Sequence, residues 1–158
     1  MISFFVTIAI VLCAAFLARH GILNLVEGGV VSKNIIPNIL DYTYVRNEGA
    51  AFGMLYGKKT LLIIVTSVII IAILIYVIKT RKTIGKCEKF SLALIVAGGF
   101  SNMFERVIDS SVVDYIDTHL LPVFNVADIA VTCGCILLII SIFFLSPKEN
   151  INDERKQI

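Results

Sequence analysis

The feature that most constrains the fold is a run of eighteen residues without a charge, LLIIVTSVIIIAILIYVI at 61–78. A helix needs about 20 mostly apolar residues to cross a hydrocarbon core of roughly 30 Å. Further apolar segments lie at about 2–19, 90–106 and 123–146. Charged residues make up 16% of the chain, below the roughly 25% usual in soluble domains. The sequence therefore predicts an all-α membrane protein, with four transmembrane helices in one domain over 1–158.

The first apolar segment has a second interpretation, a cleaved signal peptide. Signal peptides carry positive charge ahead of their apolar stretch. Here no Lys or Arg precedes Arg19, and three further spans follow. We therefore expect a membrane helix, which the apolar residues Leu23 to Val26 could extend outward.

The segment 79–89 determines the predicted topology. It contains one acidic residue, Glu88, and five basic residues: Lys79, Arg81, Lys82, Lys86 and Lys89. Short loops this basic remain on the cytoplasmic side, and binding to anionic lipid headgroups would favour the same face. Both ends of the chain are then cytoplasmic, and the segments 20–60 and 107–122 lie at the outer surface.

The first outer segment also shows a β-strand pattern. Residues 35–45, IIPNILDYTYV, alternate apolar and polar side chains and are rich in β-branched and aromatic types. They predict one or two short strands, bounded by Pro37 and Asn38.

Carboxylates mark the second outer segment and the start of the last span. Acidic side chains are costly at a bilayer, so Asp114 and Asp128 point to function. We predict that they face each other and share one proton, because two close carboxylates cannot both ionise cheaply. The ionised one can take a proton from water while the neutral one polarises a carbonyl. This is the chemistry of an aspartic peptidase.

Predicted topology brings further polar residues to the same outer surface: Asn47, Asn102, Arg106 and Asn125. Each also has a purely structural interpretation. Asn125 and Asp128 are spaced as a capping box, and Asn47 can cap a turn. Arg106 can extend to water or pair with a carboxylate. A channel or transporter relay would instead need acids in mid-span, where the sequence has none.

No pattern predicts a metal or cofactor. Cys133 and Cys135 are too close for an ordinary disulfide or zinc site, and no second pair accompanies them. A net charge of +2 gives no reason to expect nucleic acid. We expect a monomer in contact with membrane phospholipid.

Four ordered motifs, NEGAAFG, AGGFSNMFER, SVVDYID and FNVAD, resemble the lipoprotein signal peptidases, the type II signal peptidases of bacteria. The resemblance covers roughly residues 35–146. It implies a four-span aspartic peptidase of the bacterial cell membrane, with a small β-structured cradle on the outer face. Such an enzyme cuts prolipoproteins before the diacylglyceryl-modified cysteine, using an activated water.

The resemblance implies catalytic roles for Asp114 and Asp128. It implies substrate-binding or pair-orienting roles for eight further residues: Asn47, Gly49, Ala50, Ala51, Phe52, Asn102, Arg106 and Asn125.

The sequence departs from the family pattern in two regions. The first-span motif D-Q-x-x-K is absent from residues 18–22, which read ARHGI. In the third span, Ser101 replaces a Gly and Glu105 replaces an Asp. The first departure motivates an alternative hypothesis, a non-catalytic or altered-specificity paralogue that binds lipidated proteins.

Overall fold

A computed structural model describes residues 1–49 and 55–145. Within them lie four long helices, and all four are long and apolar enough to cross a membrane. These are α1 (Ile2–Glu27), α2 (Lys59–Lys79), α3 (Lys86–Asp109) and α4 (Val126–Ile140), the last continued by a π-helical turn, Ser141–Leu145. Three strands complete this part of the chain: β1 (Ser32–Ile36), β2 (Leu40–Asn47) and β3 (Val112–Asp117). The predicted fold class is confirmed.

Helix α1 continues past the predicted span of 2–19, through the apolar residues Leu23 to Val26 that the sequence offered as an extension, and ends at Glu27. Gly28 and Gly29 stop it, and Gly29 adopts a positive φ of 85° that a side chain would disfavour. The connection to α2 therefore starts at residue 28 instead of 20, about two helical turns later than predicted.

Helix α3 is the centre of the bundle and contacts the other three helices. Seven of its residues are buried, compared with two each in α1 and α2. A helix enclosed by other helices needs fewer apolar side chains than one facing lipid on most sides. This explains why α3 was the weakest span in the sequence.

Two glycines let α3 and α4 approach closely. A methyl group at Gly98 would lie 2.3 Å from the backbone oxygen of Ala127. One at Gly134 would lie 2.8 Å from the oxygen of Ser91. Small residues at such crossings allow backbone contact between membrane helices. The contact at Gly98 sets the position of the first turn of α4 against α3.

The strands form one antiparallel sheet in the order β1-β2-β3. Because β2 belongs to the connection between α1 and α2, and β3 to that between α3 and α4, both connections lie at one end of the bundle. Tyr42, Val113 and Tyr115 form a small core in the sheet, against which Ile22 and Val26 of α1 pack. The sheet is thereby fixed to the end of α1.

Strand β3 was not predicted, because its segment was interpreted as a loop bearing carboxylates. It contains six residues, VVDYID, and its register with β2 pairs Val45 with Asp114 and Asn47 with Val112. Pairing with β2 supplies the backbone hydrogen bonds that a short strand lacks on its own.

We predict that Gly98→Ala lowers the free energy of unfolding by about 1–3 kcal/mol, because the new methyl group overlaps backbone of α4. Thermal unfolding in detergent micelles would measure this loss. Gly99→Ala is the matched control, since its methyl group would meet only side-chain atoms of Thr66 and Ile70, at ordinary distances of 3.5 to 4.0 Å. That variant should be as stable as the parent protein or slightly more so. Equal stability of the two variants would contradict the packing argument.

Candidate active site

Asp114 lies in the middle of β3 and is 2% exposed. Side chains alternate along a strand, so Val113 and Tyr115 face the small sheet core while Asp114 faces the opposite way. There the Nδ2 of Asn47 donates to its Oδ2 at 2.8 Å. The carboxyl group is thus buried with a hydrogen-bond donor from the neighbouring strand.

Asp128 lies in the first turn of α4 and forms a capping box with Asn125. The backbone N–H of Asp128 donates to Asn125 Oδ1 at 3.0 Å, and the N–H of Asn125 donates to Asp128 Oδ2 at 3.1 Å. The structural interpretation of this pair is therefore confirmed. The second carboxyl oxygen, Oδ1, accepts the Nδ2 of Asn102 on α3 at 2.7 Å.

Asn125 links the two acids. Its Nδ2 donates to Asp114 Oδ1 at 2.7 Å and to Asn102 Oδ1 at 3.2 Å. Asn125 Oδ1 accepts the capping N–H of Asp128. Only one orientation of the side-chain amide therefore places its oxygen on that N–H and its nitrogen on the oxygens of Asp114 and Asn102. All four carboxyl oxygens of Asp114 and Asp128 therefore accept an N–H.

No hydrogen bond joins the two carboxyl groups within the described part of the chain. The connection runs through Asn125, and direct sharing of a proton between Asp114 and Asp128 stays a prediction. Their charges nevertheless interact, since the carboxylate of Asp128 disfavours ionisation of Asp114.

Burial raises the pKa of Asp114 to about 6. The nearby charge of Asp128 adds to this rise, while the amides of Asn47 and Asn125 and the charge of Arg106 oppose it. Desolvation is the largest of these effects, because a carboxylate removed from water loses its hydration. Asp114 therefore retains a proton at higher pH than an ordinary aspartic acid.

Arg106 fixes the turn that follows β2. Its Nη2 donates to the carbonyl of Gly49 at 2.7 Å, and its Nη1 donates to the carbonyl of Asn102 at 3.2 Å. The N–H of Gly49 in turn donates to Asn47 Oδ1 at 2.9 Å, which leaves the Nδ2 of Asn47 for Asp114. Arg106 thus acts on the turn.

Three of the predicted orienting residues therefore donate directly to the acids: Asn47, Asn102 and Asn125. Two more, Gly49 and Arg106, are hydrogen-bonded to these asparagines or to each other. Ala50, Ala51 and Phe52 lie outside the described residues. Among the described residues, no three His, Cys, Asp or Glu side chains converge as a metal site would require.

A neighbouring ion cluster was missed. Arg19 of α1 contacts Glu105 and Asp109 of α3, and Glu105 accepts the N–H of Val113. The sequence offered one signal, the four-residue spacing that places Glu105 and Asp109 on one helix face. It gave no sign that α1 would supply the cation.

The chain was compared with known proteins. Residues 7–144 match the family model described as signal peptidase (SPase) II. The lipoprotein signal peptidase of Caldicellulosiruptor bescii is 46% identical over 105 residues, covering 66% of this chain and 68% of that protein. The protein of the same description from Clostridium acetobutylicum is 41% identical over 121 residues, covering 73% and 78%. That from Staphylococcus aureus strain MRSA252 is 37% identical over 131 residues, covering 80% and 77%.

Two solved structures, both described as a bacterial membrane enzyme studied by the in meso method, share the fold. The one at 2.3 Å resolution superposes with a TM-score of 0.81 at 30% identity, covering 94% of each chain. The one at 1.9 Å gives a TM-score of 0.81 at 32% identity, covering 92% of this chain and 96% of the other. The likeness therefore spans nearly the whole bundle and sheet.

We predict a pH-dependent contribution of Asp114 to stability. Its folded-state pKa is raised from 3.8 to about 6, so the folded protein binds this proton more tightly than the unfolded chain. The contribution is complete below pH 3.8 and is lost as the pH rises through 6. Relative to Asp114→Asn, the parent protein should gain up to about 3 kcal/mol between pH 8 and pH 4.

Thermal unfolding of both proteins across this range would measure the gain. Other titrating groups are common to the two proteins, so their effects cancel to first order in the difference. Parallel stability curves between pH 4 and pH 8 would contradict the raised pKa.

Proposed function

The chain belongs to the signal peptidase II family, and on that premise we propose that Asp114 and Asp128 are its catalytic pair. As a member of this family it is a multi-pass protein of the bacterial membrane and a peptidase that removes signal peptides from prolipoproteins. One observation carries the assignment: Asn125 is hydrogen-bonded to both carboxyl groups, which come from separate segments, through its Nδ2 to Asp114 and through its backbone N–H to Asp128. When two neighbouring carboxyl groups lie in different surroundings, their pKa values differ, so one can act as the acid and the other as the base.

We assign the proton to Asp114 and the negative charge to Asp128. Asp114 is nearly fully buried, and its pKa is about 6. Asp128 is only partly buried and lies in the first turn of a helix, where the helix dipole favours a negative charge. The pair titrates as a unit, and this singly protonated state is the one populated below about pH 6.

In the proposed reaction, Asp128 takes a proton from water as the water oxygen bonds to the scissile carbonyl carbon. Asp114 gives its proton to the carbonyl oxygen, and a tetrahedral diol forms. Asp128 then protonates the amide nitrogen, the C–N bond breaks, and the diol proton returns to Asp114. Each carboxyl oxygen has a second lone pair beyond the one that accepts an amide N–H, so these transfers leave the surrounding hydrogen bonds intact.

The substrate is expected to be a prolipoprotein cut just before its diacylglyceryl-modified cysteine. Its lipid chains would lie between helices in the bilayer, so the anchor holds the scissile bond near the acids and reduces the entropic barrier. Asn47, Asn102 and Asn125 orient the pair, and Arg106 holds the Gly49 turn. From the sequence motif, we assign Ala50, Ala51 and Phe52 to the substrate path. The enzyme would act as a monomer among phospholipids.

The proposed orientation has the acids on the outer face and both ends of the chain in the cytoplasm. The basic connection between α2 and α3 supports it, because five Lys and Arg residues occur at 79–89. The acids lie at the opposite end of the bundle, beside the sheet.

The alternative of a non-catalytic paralogue is not favoured. The relatives matched over most of their length are described as peptidases. Asp114 and Asp128 are also both present, with a complete set of amide donors.

We predict that Asp114→Asn and Asp128→Asn each lower the rate of cleavage by about 10³-fold or more, because the pair acts as a unit. The purified variants would be tested on a peptide that carries a signal sequence and a diacylglyceryl-modified cysteine. Both should remain folded in detergent.

Asp117→Asn is the matched control, because Asp117 is an acid of the same strand whose hydrogen bonds go to Thr43 and His119. It should retain cleavage within a few fold. Normal turnover by either Asp114→Asn or Asp128→Asn would refute the assignment.

A further inference from the structure

An arginine of the first helix lies between two acids of the third. Arg19 Nε is 3.2 Å from Glu105 Oε2, and Arg19 Nη2 pairs with Asp109. The contact with Glu105 has the distance of an ion pair but not the angle of a directed hydrogen bond. Glu105 is 9% exposed, so its charge is largely removed from water. A carboxylate in that position needs a cation.

Glu105 also holds the buried outer edge of the sheet at β3. Strand β3 is at the edge, and the N–H of Val113 donates to Glu105 Oε2 at 3.0 Å. Two residues further, the N–H of Tyr115 donates to the carbonyl of Phe124 at 3.0 Å. Asp114 is the residue between these two anchors. Its position along the edge is therefore set on one side by α3 and on the other by the segment before α4.

We propose that Arg19 is a positioning residue for Asp114, acting through Glu105 on the backbone of β3. The inference rests on the proposed function in one respect: it takes Asp114 to be a catalytic residue. Arg19 holds the Glu105 carboxylate beneath the strand, and the carboxylate holds Val113. Neither side chain touches the amides of Asn47 and Asn125 that bind Asp114 directly.

The surroundings make this pairing strong. An apolar groove of about 410 Å³ between α1 and α3 reaches the cluster, and its lining includes Leu12, Phe16, Phe100 and Phe104. Charges interact more strongly where water is scarce. Without Arg19, Glu105 and Asp109 would be like charges one helical turn apart with no cation between them. Glu105 would turn away or take up a proton, and Val113 would lose its charged acceptor.

The two departures from the family pattern, in the first span and at Glu105, thus lie next to each other in the structure. Arg19 lies in the region where the D-Q-x-x-K motif is missing, and Glu105 replaces an Asp. The longer acid and the arginine reach each other between helices α1 and α3. This contact gives the first span a role in the site without the missing motif.

The test combines single and double variants of the full-length protein with one matched control. Arg19→Gln removes the cation. Glu105→Gln keeps an oxygen that can accept the Val113 N–H but removes the charge that needs Arg19. His20→Gln, at the next and more exposed position of α1, is the control. Cleavage of the diacylglyceryl-modified peptide gives kcat and KM, and site-resolved amide hydrogen exchange reports on Val113.

In the parent protein, Arg19→Gln should lower kcat by about 10- to 100-fold, as expected for a small misplacement of a catalytic group. KM should change less than about twofold, and exchange at Val113 should accelerate. In the Glu105→Gln background, Arg19→Gln should lower kcat by less than about threefold, because the charge that Arg19 pairs with is already gone. Arg19→Lys should recover most of the lost kcat, and His20→Gln should match the parent.

Several outcomes would overturn the inference. These are an equal loss from Arg19→Gln in both backgrounds, an effect on KM alone, and unchanged exchange at Val113. If Arg19→Gln does not fold, the comparison of Glu105→Ala with Glu105→Gln provides the test. Only the Ala variant removes the acceptor of the Val113 N–H, so only that variant should accelerate exchange at Val113. The exchange measurement does not depend on catalysis, so it remains valid even if Asp114→Asn cleaves normally and the proposed function fails.

Discussion

The structure depends on satisfying a buried carboxyl group at the end of a membrane bundle. Asp114 is held by the amides of Asn47 and Asn125, which come from different segments of the chain. Each amide is oriented by its own oxygen, which accepts a backbone N–H of Gly49 or Asp128. A buried acid without such donors would be costly. The sheet register and the helix cap are therefore both conditions for placing this one side chain.

Much of this arrangement could be predicted because its signals are local. Long apolar runs predict membrane helices, since the bilayer requires every backbone group to be bonded within the segment. The spacing of Asn125 and Asp128 predicts a cap, because the contacts span a single turn. Counting spans from the basic loop also brought Asn102 and Arg106 to the end of the bundle where the structure has the sheet and the two acids. These inferences needed no knowledge of which helices touch.

What could not be predicted depends on contacts between distant segments. Strand β3 forms because β2 pairs with it, and six residues alone do not indicate a partner. Arg19 and Glu105 are far apart in sequence, and neither residue predicts the other. The connection between the acids also differs from a direct contact. It runs through Asn125, whose side chain donates to Asp114 and whose backbone N–H donates to Asp128, and its geometry depends on how closely α4 approaches α3 at Gly98.

The structural and catalytic interpretations of the acidic residues are complementary. Asp128 uses one oxygen to cap α4 and receives the Asn102 amide on the other, so the cap orients the carboxylate without consuming it. The burial of Asp114, in contrast, lowers the stability of the folded protein. A carboxyl group whose pKa is about 6 destabilises the folded protein at neutral pH compared with an unperturbed one. A protein that only bound lipidated partners would gain by replacing it. The cost of keeping Asp114 beside a second acid accords with the proton-transfer role proposed for it.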